Sequence, residues 1–182
     1  MEAINFLLDF FFEAFVIVFI LRVWLQLVRA DFYNPISQFI VKVSNPLVIP
    51  CRRVIPSIGA LDTATLLLAL AISILKFIVL QAINGVDINV VGSLYFGFIA
   101  VIKQAGVLLF MLMLVMAIMS WVVQGYNPTL AVFHQLTDPF LRPIRKVVPN
   151  IGGLDLSVLI AFLLLNVINI LLSGSVPGWA AV

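Results

Sequence analysis

Charged side chains interrupt otherwise apolar stretches of this sequence at Glu13, Arg22, Lys76 and Lys103. A charge inside hydrocarbon is energetically expensive, so such groups are expected to face protein or water and to find partners. Two kinds of chemistry fit the pattern. One is an ion or proton site that couples Glu13 to Lys76, and the other is a charge-neutral structural cluster that holds helices together. We favour the structural cluster.

The elements that must position these side chains are membrane spans. Hydrophobic residues make up 64% of the 182 residues and charged residues 10%, whereas soluble proteins have roughly 45 to 50% and about 25%. A run of about 18 or more apolar residues predicts a helix that crosses the bilayer. The sequence therefore predicts an all-α membrane protein with about four transmembrane helices. The predicted spans are residues 4–28, 62–83, 95–123 and 155–176.

The chain contains an internal duplication with an offset of 93 residues and no gap. Such an offset indicates two copies of one module. We assign residues 1–83 to the first unit, 84–94 to a linker and 95–182 to the second unit. The positions repeated are Asn34, Pro35, Pro46, Pro50, Arg52, Pro56, Gly59 and Asp62, matched by Asn127, Pro128, Pro139, Pro143, Arg145, Pro149, Gly152 and Asp155.

Between its two spans each unit carries a proline-rich motif segment, residues 29–61 and 124–154. Asn34 followed by Pro35 is a typical helix start, because asparagine caps free amides and proline at the first helical position loses no hydrogen bond. Apolar residues then follow at helical spacing on one face. A second cap and proline, Asn45-Pro46, predicts two short amphipathic helices in each segment, lying in the headgroup region or partly re-entrant.

At these residues the chain resembles the YggT family, whose members carry the YGGT repeat, in its two-repeat bacterial form. The matching segments run from Arg22 to Asp62 and from Met116 to Asp155, and the resemblance covers nearly the whole chain. It implies a multi-pass protein of the bacterial cytoplasmic membrane, linked to tolerance of osmotic or other envelope stress. In plastid relatives it implies a role in membrane and cofactor assembly. No catalytic residue is established for the family, so none is carried over.

The distribution of basic residues predicts the orientation in the membrane. Seven of the ten Lys and Arg residues lie in the two motif segments, and such residues are enriched in cytoplasmic loops. Both motif segments should therefore face the cytoplasm of an inner-membrane protein, with both termini outside. Their basic residues fit anionic lipid headgroups better than nucleic acid.

Depth along the spans predicts that Glu13 and Lys76 can meet. At about 1.5 Å per residue, Glu13 lies roughly 13 Å and Lys76 roughly 10 Å from the outer ends of their helices. The polar pair Ser73 and Lys76 recurs in the second unit, and Lys103 lies at a similar depth. We therefore predict one polar layer in the outer third of the bundle. Its members would be Glu13, Ser73, Lys76, Lys103, Asn166 and Asn169.

Sequence signatures of enzymes are absent, including a phosphate-binding glycine loop, paired metal-binding histidines and a serine nucleophile elbow. The sequence thus predicts a non-enzymatic protein without a cofactor or a metal site. Two functions remain open: a membrane scaffold or assembly factor, and an oligomeric ion channel or transporter component. Partners beyond lipid would be other membrane proteins or further copies of the chain.

Overall fold

The computed structural model of the chain describes residues 1–123, 125, 127–148 and 155–182. Within these residues the chain forms six α-helices and a short 3-10 turn near the carboxyl end. The helices are α1 (Glu2–Leu27), α2 (Pro35–Arg52), α3 (Thr63–Ile83), α4 (Val90–Val122), α5 (Pro128–Arg145) and α6 (Leu156–Ser175). Helices α1, α3, α4 and α6 are long and apolar enough to cross a membrane. The predicted all-α membrane class is confirmed.

The order of contacts fixes the direction of the spans. Asn5 at the start of α1 hydrogen-bonds to Asn84 at the end of α3, with an N–O distance of 3.0 Å, so these two helices are antiparallel. The Ser73 hydroxyl of α3 donates to the carbonyl of Gly97 in α4 at 3.0 Å, and the connection between them is short. Helix α4 therefore runs in the same direction as α1. We call the end of the bundle that carries α2 and α5 the motif end, and the opposite end the far end.

The largest core cluster joins the two units. Phe19 and Leu25 of α1 belong to it together with Leu108 of α4 and Leu136 of α5, and all four are buried. A second cluster packs α4, α5 and α6 around Met113. The two units consequently share one core, and their relative position is set by apolar packing as well as by the connecting chain.

Each motif segment forms one continuous helix, which corrects the prediction of two short ones. Helix α2 passes through Pro46 and Pro50 without a break, and α5 does the same at Pro139 and Pro143. All four prolines are exposed, so the carbonyl groups that they leave without a partner can bind water or headgroups. On the opposite side of α2 the buried face is uninterrupted and keeps the helix together.

Two connections differ in detail from the predicted boundaries. Helix α4 begins at Val90, five residues before the predicted start, because the Asn89 side chain caps it by accepting a hydrogen bond from the Gly92 amide at 2.9 Å. In the first motif segment, Ile58 and Leu61 pair across a tight turn in which Gly59 has a φ of 60°. This is a left-handed conformation that favours glycine. The residues that match this turn, among them Gly152, lie outside the described residues, as does Pro149, the counterpart of Pro56.

Candidate functional site

An arginine–aspartate pair ties the end of α2 to the start of α3. Arg52 donates from Nε to Asp62 Oδ2 at 3.2 Å and also from Nη2 to the same oxygen. The Nη2 group also donates to Gln26 of α1 at 3.0 Å. Asp62 Oδ1 caps α3 by accepting from the Thr65 amide at 3.3 Å. The Arg52–Asp62 pair, which we call the first clasp, therefore joins three helices at the motif end.

The second unit repeats this arrangement at the same spacing. Arg145 donates from Nε at 2.9 Å and from Nη2 at 2.7 Å to Asp155 Oδ2. Asp155 Oδ1 accepts from the Ser157 amide at 3.0 Å and caps α6. Arg145 also pairs with Asp138 at 3.1 Å, within its own helix. This second clasp shows that the duplicated arginine and aspartate carry one structural task in both units.

The clasps keep both aspartates ionised. Burial of Asp62 opposes its charge, but hydrogen bonds from Arg52 and from Thr65 outweigh that effect, and the pKa of Asp62 lies below its usual value. The pKa of Asp155 is lowered in the same way, since bonds from Arg145 and Ser157 exceed the cost of its burial. A negative charge at the amino end of a helix also interacts favourably with the helix dipole.

A buried arginine distinguishes the first unit from the second. Arg22 of α1 donates to the Ser44 hydroxyl at 2.5 Å, to the Asn45 side chain at 2.9 Å and to the Val41 carbonyl at 3.3 Å, all in α2. The sequence marks Arg22 as unusual, yet it gives Asn45 the role of a helix cap. The position of Arg22 is taken by Val115 in the second unit, so this link has no counterpart there.

Lys76 lies between two carboxylates of α1, near the far end. Its ammonium nitrogen is 3.0 Å from Glu13 Oε1 and 3.2 Å from Asp9 Oδ1. The structure thus brings Glu13 and Lys76 together and adds Asp9, which the sequence analysis missed. Asp9 precedes Glu13 by one helical turn, a spacing that places both carboxylates on one face of α1. The formal charge of these three side chains is negative rather than neutral.

The other residues predicted for the polar layer bond to partners other than Glu13 and Lys76. Lys103 of α4 donates to the Trp179 carbonyl at 3.0 Å and to the Val182 carbonyl. Asn169 of α6 accepts from the Trp179 indole at 2.8 Å. Asn166 donates to a carbonyl of its own helix at 2.9 Å. The ammonium group of Lys103 therefore lies at the 3-10 turn around Trp179 and takes no part in the α1–α3 cluster of Asp9, Glu13 and Lys76.

Helices α4 and α6 leave two crevices between them. The crevice at the motif end has a volume of about 430 Å³ and is lined by apolar residues of both helices, with Arg145 and Asp155 at its edge. The other has about 390 Å³ and includes Lys103, Asn166 and Asn169 in its wall. Among the described residues no group of three histidine, cysteine or acidic side chains could hold a metal ion. The walls of both crevices are mostly apolar, which suits an apolar group.

The family follows from comparison with known proteins. A model of the CCB3/YggT family matches residues 1–83 and 95–176. The chain belongs to this family. It is 49% identical to an uncharacterized protein of Vibrio alginolyticus over 98% of each chain. It is also 46% identical to YggT of Escherichia coli K12, over 93% of this chain and 88% of that protein. No solved structure matches the chain. The names of these relatives state no activity.

The first clasp can be tested through the free energy of unfolding. Asp62→Ala removes both the cap and the ion pair, and we expect a loss of about 1 to 3 kcal/mol, since a cap contributes about 1 kcal/mol and the half-exposed Arg52 can turn to water. Asp62→Asn keeps the capping oxygen and should lose less. The measurement is unfolding of the purified protein by titration with sodium dodecyl sulfate in mixed micelles. Asp87→Ala, in the exposed connection after α3, is the control; equal effects of Asp62→Ala and Asp87→Ala would contradict the clasp.

The lowered pKa values predict how stability depends on pH. A carboxylate whose folded pKa is depressed stabilises the protein above its unfolded pKa of about 3.9, and this stabilisation is lost as the pH falls through the folded pKa. Stability should thus be insensitive to the clasps from neutral pH to about pH 5 and should fall below about pH 4. The double variant Asp62→Asn, Asp155→Asn should show a smaller acid-induced loss. The midpoint of thermal unfolding as a function of pH is the measurement, and an unchanged acid profile in the double variant would refute the assignment.

Proposed function

We propose that the chain is a non-enzymatic protein of the bacterial inner membrane that acts as a scaffold or assembly factor in tolerance of osmotic and extracytoplasmic stress. The observation that carries this proposal is the duplicated clasp. It holds two amphipathic helices rigidly against the ends of the spans. A surface that is fixed in this way suits the binding of a partner or of lipid headgroups.

The exposed side chains of the motif helices support a surface role. On α2, Phe39 and Leu47 are exposed apolar residues, and the basic residues Lys42 and Arg53, the latter directly after the helix, are exposed as well. An amphipathic helix of this kind lies at the boundary of headgroups and acyl chains, with its basic residues near anionic lipids. The lipid bilayer is accordingly the first partner of this surface, and no nucleic acid is expected there.

A small oligomeric ion channel or transporter component is the second candidate. The observation in its favour is the cluster of Asp9, Glu13 and Lys76, in which two carboxylates share one ammonium group. An uncompensated carboxylate inside a membrane protein can bind a proton or a cation. Four spans in one chain offer little room for a pore, so conduction would require several copies.

Complementation separates the two candidates in Escherichia coli that lacks its own YggT. One variant neutralises exposed basic residues of the motif helices with Lys42→Gln, Arg53→Gln, Arg142→Gln and Lys146→Gln. The other neutralises the intramembrane cluster with Asp9→Asn, Glu13→Gln and Lys76→Met. We expect the first variant to lose growth under osmotic stress, because it alters the proposed binding surface, and the second to keep it.

The opposite pattern would favour transport, as would ion flux through liposomes that is abolished by Lys76→Ala. Equal abundance of both variants in the membrane is the required control. The cluster variant changes three residues because Lys76→Met alone would leave two unpaired carboxylates on α1. An exchange of Glu13 and Lys76 would place the new glutamate beside Asp9 and would be difficult to interpret.

We further propose that both motif segments face the cytoplasm and both termini lie outside. A reporter that is active only in the cytoplasm should be silent when it is fused after Val182. The same reporter fused after Val54, at the end of a truncated chain, should be active. The ratio of the two signals at equal expression is the measurement, and a strong signal after Val182 would reverse the proposed topology.

A further inference from the structure

The contact between the two units is asymmetric, because each unit contributes a different one of its surfaces to it. We call this contact the unit junction. At the motif end, the Trp24 ring of the first unit lies 5.2 Å, centroid to centroid, from the Phe140 ring of α5. The Asp31 amide next to α1 donates to the Gln135 side chain of α5 at 3.1 Å. The first unit thus contributes one surface, the leading surface, and the second unit a different one, the trailing surface.

Nearer the far end the junction continues between α3 and α4. Ser73 bonds to the Gly97 carbonyl, and a Cβ atom at Gly97 would come within 2.9 Å of the Ile74 backbone. The leading surface of the first unit therefore extends from Trp24 to Ser73. The trailing surface of the second unit extends from α5 to the first half of α4.

The first unit also has a trailing surface, formed by the corresponding residues of α2 and α1, and this surface is exposed. Val132 and Leu136 of α5 are 1% and 0% exposed, whereas Phe39 and Val43, at the same positions of α2, are 61% and 37% exposed. On the spans, Leu108 of α4 is buried and its counterpart Phe15 of α1 is exposed. Large apolar side chains therefore occupy the first unit at the positions that the junction covers in the second unit.

The leading surface of the second unit is also open. Phe140 lines a crevice between the two units, and the first-unit side of this crevice includes Trp24, Leu27 and Leu66. The residues 93 positions later are Ala117, Ser120 and Leu159, and they line the crevice at the motif end between α4 and α6. The residue that corresponds to Phe140 is Leu47 of α2, which is exposed.

Because the spans of the two units run in the same direction, the two open surfaces lie at the same depth in the membrane and correspond to the two surfaces that meet in the unit junction. Within one chain, the trailing surface of the first unit and the leading surface of the second unit both remain uncovered. We infer that a second copy of this chain supplies the missing contact, with Leu47 and its neighbours on α2 of one copy seated in the α4–α6 crevice of the other.

Two such contacts related by a two-fold axis along the membrane normal close a dimer with four units in a ring. Lipid would cover Phe39 and Val43 equally well, but acyl chains offer no donor to the side-chain oxygen of Asn166, an exposed residue at the middle of α6 whose amide nitrogen already bonds within the helix. Its counterpart Ser73 is buried in the unit junction. Ile4 stands where the second unit has Gly97, so the spans in the dimer contact lie farther apart than α3 and α4 do.

Cross-linking in native membranes tests this inference. In a Cys51→Ala background, one chain with one affinity tag carries Leu47→Cys and a second chain with another tag carries Ala117→Cys. A short bismaleimide should join the two chains into a product that contains both tags. Ile49→Cys, which is similarly exposed on the other side of α2, replaces Leu47→Cys as the control and should give a several-fold lower yield.

The outcomes are distinct. A doubly tagged product from Leu47 and Ala117, with little from Ile49, supports the head-to-tail dimer. A product that joins Leu47 to Leu47 would instead indicate a face-to-face contact and would overturn the proposal. Monomer alone would also overturn it, provided that a membrane-permeant maleimide labels both cysteines and shows that they are present and accessible.

Discussion

The ion pair between an arginine at the end of each motif helix and the aspartate that caps the next span is the polar contact that fixes each motif helix to the bundle. The aspartate is also held independently of the pair, because its other oxygen accepts a hydrogen bond from an amide of the first helical turn. The arginine ends a helix whose buried face already packs against the spans. The pair therefore joins two elements that are each fixed independently. In the first unit the nine residues between its partners, Arg53 to Leu61, need no helix of their own.

The same duplicated frame is used differently in its two halves. In the first half, Arg22 adds a link between α1 and α2, and Glu13 and Asp9 bind Lys76 across α1 and α3. In the second half, the position of Arg22 is a valine. Helices α4 and α6, the two spans of that half, are instead joined near the far end by the turn around Trp179. Fewer polar links between α4 and α6 are consistent with the crevices that remain there, since apolar side chains alone give little directional attraction in a membrane.

Much of this fold is predictable from the sequence, and what is not has identifiable physical reasons. The spans follow from apolar length, and the Glu13–Lys76 contact follows from depth along two antiparallel helices. The position of Lys103 does not, because depth alone cannot show that the turn at Trp179 reaches it. The continuity of α2 through Pro46 also escapes prediction. The free-energy cost of a proline inside a helix depends on whether the carbonyl that it leaves without a partner faces solvent, and this depends on how the helix packs.

When two parallel copies of a module pack side by side, each copy buries one of its two surfaces in the contact and leaves the other exposed. In inverted repeats the two copies can bury the same surface against each other, but parallel repeats cannot unless they close a ring. The sequence differences between the units follow this rule. Gly97 and Ser73 permit a close approach inside the junction, while Ile4 and Asn166, at the corresponding outer positions, are larger. At these positions the units differ where one is covered by the chain and the other must be covered by lipid or protein.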